Sequence, residues 1–151
     1  MLLTGCVVDR LPEPGAAPPR FVELRLRSPL PRIATLRRLG AHGATGVLAL
    51  RAPTECITSS AGPLAHTPAL ERNVTWLDHA AQTLGAALVV LPTPVEVTPG
   101  ARSRDLLRDY AARLPRPEGR VWVWSPRGPW EPEVSYAMTS GDAELSRTAI
   151  Q

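Results

Sequence analysis

Histidines and cysteines, the side chains that most often bind metals or act as nucleophiles and bases, are few in this chain of 151 residues. His42, His66 and His79 fall on a predicted turn, a loop and a helix, and none has the spacing of an H-x-x-x-H metal motif. Cys56 lies ten residues before His66, so a thiol nucleophile with a histidine base is one alternative. No residue that would orient His66 is evident, which argues against this alternative. Because the histidines share no ligand spacing, we predict no metal site.

Motifs of nucleotide and cofactor chemistry are missing from the sequence. It contains no G-x-G-x-x-G fingerprint, no P-loop and no G-x-S-x-G nucleophile elbow. We therefore expect no cofactor. Whether the chain is an enzyme stays open, and a non-catalytic role is favoured.

Three of the four tryptophans lie close together in the sequence. Trp122 and Trp124 share one face of a predicted strand and Trp130 follows closely, in a chain that is only 5% aromatic. Tryptophan is enriched at the hot spots of protein interfaces, so these indoles are candidate binding residues for a protein partner or a homodimer. The alternative is that they pack beneath a helix of their own chain.

The charged residues argue against nucleic acid as a partner. All 17 basic residues are arginines, the net charge is +3, and the arginines are interspersed with Asp and Glu instead of forming a basic block. The arginines lie on ordinary solvent-exposed faces or, alternatively, form an anion-binding surface.

No apolar run approaches the ~18 residues of a membrane span, so we expect no membrane partner. Two cysteines and no disulfide framework predict a cytoplasmic protein.

Strand and helix signals alternate along residues 1–130, and a polar tail is predicted over 131–151. Apolar runs predict strands at 2–8, 21–27, 46–50, 87–91 and 120–124. Ser28-Pro29 and Thr67-Pro68 are cap-plus-proline signals that predict the first two helices, and a third is predicted from Ser103. The loop 54–66, between the third predicted strand and the second predicted helix, is polar.

This alternation indicates an α/β fold of parallel strands joined by right-handed crossovers. Five strands are predicted, whereas a closed (β/α) barrel needs eight strands and typically ~250 residues. We therefore expect a partial, TIM-barrel-like parallel sheet of about five βα units that does not close.

The order and intervals of several short motifs resemble the YecE-like family, a TIM-barrel family of unknown function. The resemblance spans residues 1–130 and is carried by Val22-Glu23, Leu50-Arg51-Ala52-Pro53, Ile57-Thr58, Leu84-Gly85, Leu91-Pro92, and Arg127 before Trp130. The chain departs from the family pattern at Arg25, Ser28, Pro29, Arg51, Ser59 and Ser125. It therefore resembles a truncated member that has lost much of its polar site.

The resemblance implies that Glu23, Arg51, Thr58 and Arg127 gather at one end of a barrel. Glu23 would then be the acid or base, and Arg51 and Arg127 would bind an anionic substrate, with Thr58 as a further binding residue. The alternative is that Glu23 and Arg51 only pair with each other or face solvent at a sheet end.

Two functions follow from these observations. The first is a non-catalytic partner-binding or regulatory protein, because a partial barrel leaves strand edges and faces for another chain or a second copy to cover. The second is a small hydrolase or lyase that acts on an anionic substrate through Glu23, Arg51 and Arg127.

Overall fold

A computed structural model describes residues 5–10, 20–40, 46–131, 133 and 145–147 of the chain. His42 and most of the predicted tail lie outside these residues. The elements run in the order β1 (Gly5–Val8), β2 (Phe21–Arg25), α1 (Ile33–Gly40), β3 (Val47–Arg51), β4 (Thr58–Ser59), β5 (Gly62–Pro63), α2 (Pro68–Leu84), β6 (Leu88–Thr93), α3 (Ala101–Ala112), β7 (Val121–Pro126) and β8 (Leu145–Arg147), with a 3₁₀ turn at Thr54–Cys56.

Within the described residues, one sheet carries the fold, with strands in the order β1-β2-β3-β6-β7-β8. Every neighbouring pair is parallel, and the five predicted strands are all present. The sheet stays open, with β1 at one edge and β8 at the other. The structure confirms the predicted class, a partial barrel-like α/β fold that is not closed.

The sixth strand, β8, lies in the segment predicted to be a polar tail. It pairs with β7 through Leu145 opposite Trp122 and Arg147 opposite Trp124. Its three residues, Leu-Ser-Arg, are too few to show an alternating pattern. No local sequence pattern therefore predicts this pairing.

The helix between β2 and β3 begins later than predicted. Ser28-Pro29 was expected to cap it, but α1 starts at Ile33. Pro29 and Pro31 each disfavour helical geometry at the preceding residue, so the helix begins only after the second proline. The carbonyl of Pro31 instead accepts a hydrogen bond from Trp76 Nε1 of α2 at 3.1 Å.

Helix α2 has the ends that its sequence predicts. Thr67 Oγ1 accepts a hydrogen bond from the Leu70 N–H at 3.1 Å, which caps the amino terminus. Gly85 ends the helix with φ 67°, a left-handed conformation that glycine adopts without a steric penalty. Both signals come from residues at the helix ends, so the local sequence determines where α2 begins and ends.

The main hydrophobic core lies between one face of the sheet and the three helices. Alternate strand residues such as Leu50, Val89 and Trp124 face Leu36 of α1 and Leu77 of α2, and all are 1% exposed or less. Among the described residues, no helix is both long and apolar enough to cross a bilayer.

Candidate functional site

The sheet face away from the helices forms a second, smaller apolar cluster, here called the helix-free face. Ala49, Val90 and Val123 are buried at its centre, with Phe21 and Leu88 packed against them. These side chains alternate with those of the main core along each strand, as a pleated sheet requires. Because the sheet is open, no second half of a barrel built from the described residues covers this face.

Exposed apolar side chains lie together on the helix-free face. Strand register places Val7, Leu88 and Val121 in one row across the sheet, with Glu23 and Ala49 between Val7 and Leu88. Phe21 lies beside Val47 in the next row. Val7, Val47 and Val121 are 50%, 36% and 38% exposed. We call Val7, Phe21, Val47, Leu88 and Val121 the apolar strip. Four of them begin their strands, so the strip lies towards the amino-terminal end of the sheet.

The Glu23–Arg51 pair interrupts this apolar face. Arg51 Nε donates to Glu23 Oε1, and both side chains are largely withdrawn from water, with relative exposures of 15% and 7%. A buried charge of either sign is costly alone, so each side chain compensates the other. This is the arrangement of the alternative prediction, in which Glu23 and Arg51 pair with each other.

Arg127 does not join this pair. Arg51 is opposite Val90 and Val90 opposite Val123, so Arg127 lies two strands away and four residues further on. At about 4.8 Å per strand and 3.3 Å per residue, the Cα atoms of Arg51 and Arg127 are on the order of 16 Å apart. Thr58 belongs to the small β4–β5 hairpin, outside the parallel sheet. The predicted four-residue site is therefore assembled only at Glu23 and Arg51.

The predicted tryptophan anchors are buried within the chain. Trp122 Nε1 donates to the Pro115 carbonyl at 2.7 Å, and Trp130 Nε1 donates to the Val97 carbonyl at 2.6 Å. Trp124 meets Trp130 edge to face, with ring centroids 4.8 Å apart. This is the alternative in which the indoles pack in their own core, so a partner surface must be sought elsewhere.

The Cys56 thiol and the His66 imidazole do not form a dyad. Cys56 is fully buried, and its Sγ donates to the Asn73 carbonyl at 3.4 Å. His66 Nδ1 lies 3.4 Å from Glu71 Oε1 at the surface. The described residues contain no group of three or more potential metal-binding side chains.

Arginines at the carboxyl ends of β1 to β3 are a feature that sequence reasoning missed. Arg25 is directly opposite Arg51 in the β2–β3 register, so the two side chains share the helix-free face. Next to them, Arg10 and Arg27 line an open cleft of about 560 Å³ at the end of β1. The sequence does not show that Arg25 and Arg51 are neighbours, because only the strand register pairs them.

A cavity of about 240 Å³ lies on the other side of the molecule, between α2 and α3. Its lining combines the buried Leu64, Val74 and Tyr110 with the more exposed His66 and Arg113. The volume is below the ~300 Å³ at which small-molecule sites usually begin, so it suits a single side chain.

Comparison of the chain with protein-family models, curated proteins and solved structures found no match. The resemblance to the YecE-like family stays a prediction.

Proposed function

We propose that this chain is a non-catalytic partner-binding protein, and that the apolar strip is its docking surface. The observation that carries the proposal is the exposure of Val7, Val47 and Val121, by a third to a half, on one face of an open sheet. Exposed apolar residues that are contiguous mark interaction surfaces more often than scattered ones do. The separation of Arg127 from Glu23 and Arg51 weakens the alternative of a small hydrolase or lyase.

The dimensions of the strip favour one type of partner. The five strands are separated by four gaps of about 4.8 Å, so the strip spans roughly 19 Å across the sheet, while its two rows of side chains are roughly 7 Å apart along the strands. The strip is therefore long and narrow, close to the footprint of one helix about 10 Å wide. A standard interface buries about 800 Å² on each partner, several times this area. We therefore assign the strip to a single amphipathic helix of another protein and not to a second copy.

Site-specific photo-cross-linking in the cell of origin tests this assignment. Benzoylphenylalanine replaces Val47 or Val121 in the strip, and Val95 serves as the matched control because it is 57% exposed but lies past the end of β6. We expect one protein to cross-link at positions 47 and 121 and not at 95, through a peptide with one apolar helical face. The synthetic peptide should then bind the purified chain, and the double variant Val47→Asp, Val121→Asp should weaken binding at least about tenfold.

Light scattering on the purified chain provides the second arm. A monomer is expected, because the strip is too small for a stable isologous interface. A dimer that cross-links to itself at position 47 would overturn the assignment to another protein. Equal cross-linking at positions 47 and 95, or a peptide that binds the double variant normally, would overturn the docking surface itself.

A further inference from the structure

The carboxyl ends of β2 and β3 bring two guanidinium groups together. Arg25 and Arg51 are register partners on neighbouring parallel strands, and side chains opposite each other lie about 5 Å apart at Cβ. The Arg51 charge is compensated by Glu23. Arg25 is exposed and has no carboxylate partner among the described residues. Like charges in register are unfavourable unless an anion offsets them.

The adjacent end of β1 adds further positive charge. Arg27 donates to Asp9, and Arg10 is exposed without a carboxylate partner in the described part of the chain. With Arg25 and Arg51, the described residues of this corner comprise four arginines and the two carboxylates Asp9 and Glu23, which leaves two positive charges among them.

Glu55, the first carboxylate past the end of β3, has contacts at one carboxylate oxygen and at its carbonyl, and its other carboxylate oxygen is buried without a hydrogen-bond partner. Glu55 Oε1 accepts a hydrogen bond from Ser28 Oγ, and the Glu55 carbonyl accepts one from Asn73 Nδ2 of α2 at 2.8 Å. These contacts hold Glu55 towards the helices. Among the described residues, Glu55 therefore forms no ion pair with Arg25 or Arg51.

We infer that the carboxyl ends of β1, β2 and β3 form a binding site for a dianionic oxyanion of the phosphate-ester type. Arg25 and Arg51 would hold its oxygens, and the cleft lined by Arg10 and Arg27 gives room for the organic group of the ester. Guanidinium groups present paired N–H donors that match phosphate oxygens. In parallel α/β folds of the barrel type, ligands bind at the carboxyl ends of the strands.

This site is independent of the docking function proposed above. The apolar strip lies towards the amino-terminal end of the sheet, where strands β2, β3, β6 and β7 begin. The arginine corner lies further towards the carboxyl end, and the two regions meet where Val7 is opposite Glu23. The tests therefore change Val47, Val121 and Arg25, which are not register partners of one another. Substitutions in one region are expected to leave the other function unchanged, so failure of either proposal can be told from failure of the other.

Titration calorimetry with inorganic phosphate and glycerol phosphate tests the inference, at constant ionic strength maintained with chloride. We expect saturable binding at one site, weakened at least about tenfold in Arg25→Gln because one of two guanidinium groups is lost. The control is Arg102→Gln, an exposed arginine of α3 that carries the same charge change. It should alter the affinity less than twofold.

Arg51 needs a paired substitution, because removing it alone would leave Glu23 buried without a counter-charge. The variant Glu23→Gln, Arg51→Gln keeps both side chains neutral, and a circular dichroism melt checks that it folds. If the double variant folds, loss of its phosphate binding supports the site. If the double variant does not fold, loss of phosphate binding in Arg25→Gln alone supports the site.

Several outcomes would overturn the inference. One is the absence of saturable binding of either phosphate compound. Another is equal weakening by Arg102→Gln, which would reduce the effect to overall charge. A third is binding of succinate but not of phosphate, which would assign the corner to carboxylates. Normal phosphate affinity in Arg25→Gln would also exclude the geometry proposed here.

Discussion

Cys56 lies where the 3₁₀ turn after β3 packs beneath α2, fully withdrawn from water. Burial, with a smaller contribution from the neighbouring Glu55 carboxylate, raises the pKa of the thiol to about 12. Tyr110 Oη donates to the Cys56 carbonyl at 2.8 Å, and burial raises the pKa of this phenol as well. The thiolate is the reactive form, so Cys56 is a core residue and not a nucleophile.

The Cys56 pKa predicts how stability changes with alkaline pH. In the unfolded chain the thiol loses its proton near pH 8.5 to 9, whereas in the folded chain it keeps it until about pH 12. Between these values the unfolded state binds fewer protons, so this thiol lowers the free energy of unfolding by up to about 1.4 kcal/mol per pH unit. The contribution is fully present below pH 8.5 and is lost as the pH rises through this window.

Urea unfolding at half-unit steps from pH 8 to pH 11 measures this slope. Cys56→Ala should be less stable at pH 8 and should lose stability less steeply with pH, because one proton no longer distinguishes the two states. Cys6→Ala is the matched control, since Cys6 is exposed. Parallel slopes for the Cys56→Ala variant and the unmodified chain would contradict the assignment.

Helix α2 shows how local chemistry positions the elements around the candidate sites. It carries Asn73, whose amide holds the Glu55 carbonyl, and Trp76, whose indole holds the Pro31 carbonyl. Its amino terminus is capped by Thr67. The loops after β2 and β3 therefore depend on this helix for their position.

Removing the cap tests that dependence. Thr67→Ala should reduce the free energy of unfolding by about 1 kcal/mol, because the Leu70 N–H loses its acceptor, whereas Thr67→Ser should be nearly neutral. Urea denaturation followed by far-UV circular dichroism gives both values. If the serine and alanine variants lose the same stability, the hydroxyl hydrogen bond is not what stabilises the helix end.

Elements with strong local signals were predictable from the sequence. Alternation or apolar runs identified β2, β3, β6 and β7, and caps identified α2, because each signal needs only neighbouring residues. The start of α1 was misplaced because Pro31 extends the non-helical segment after Ser28-Pro29. The strand β8 was missed because its pairing depends on β7 and not on its own pattern.

The candidate sites were predictable only in part, since they depend on which residues become neighbours. Glu23 and Arg51, 28 residues apart, could be suspected as a pair, and they do meet. Arg25 becomes a candidate site residue because the strand register places it opposite Arg51, and the spacing of the two residues in the sequence does not reveal this pairing. The tryptophans share a strand face as predicted, but that face is the one covered by helices, so they are core.

At the scale of the whole molecule, the two sides of the one sheet have different roles. Its helix-covered side holds the main core, while its other side has apolar residues at the amino-terminal end and arginines at the carboxyl-terminal end. In a closed barrel both ends of that face would line the interior. Because this sheet is open, no described strand closes either end off from the side.

The open edges make a prediction about backbone protection. Among the described strands, β3 and β6 have partners on both sides, whereas β1 pairs only with β2. Amides of the Leu88–Thr93 segment should exchange with solvent only through extensive unfolding, and those of Gly5–Val8 through local opening, at least about tenfold faster. Hydrogen exchange followed by mass spectrometry measures both segments in one experiment. Equal protection of the two segments would mean that another strand covers β1; if that protection disappears on tenfold dilution, the covering strand belongs to a second copy, and the chain closes its sheet by association.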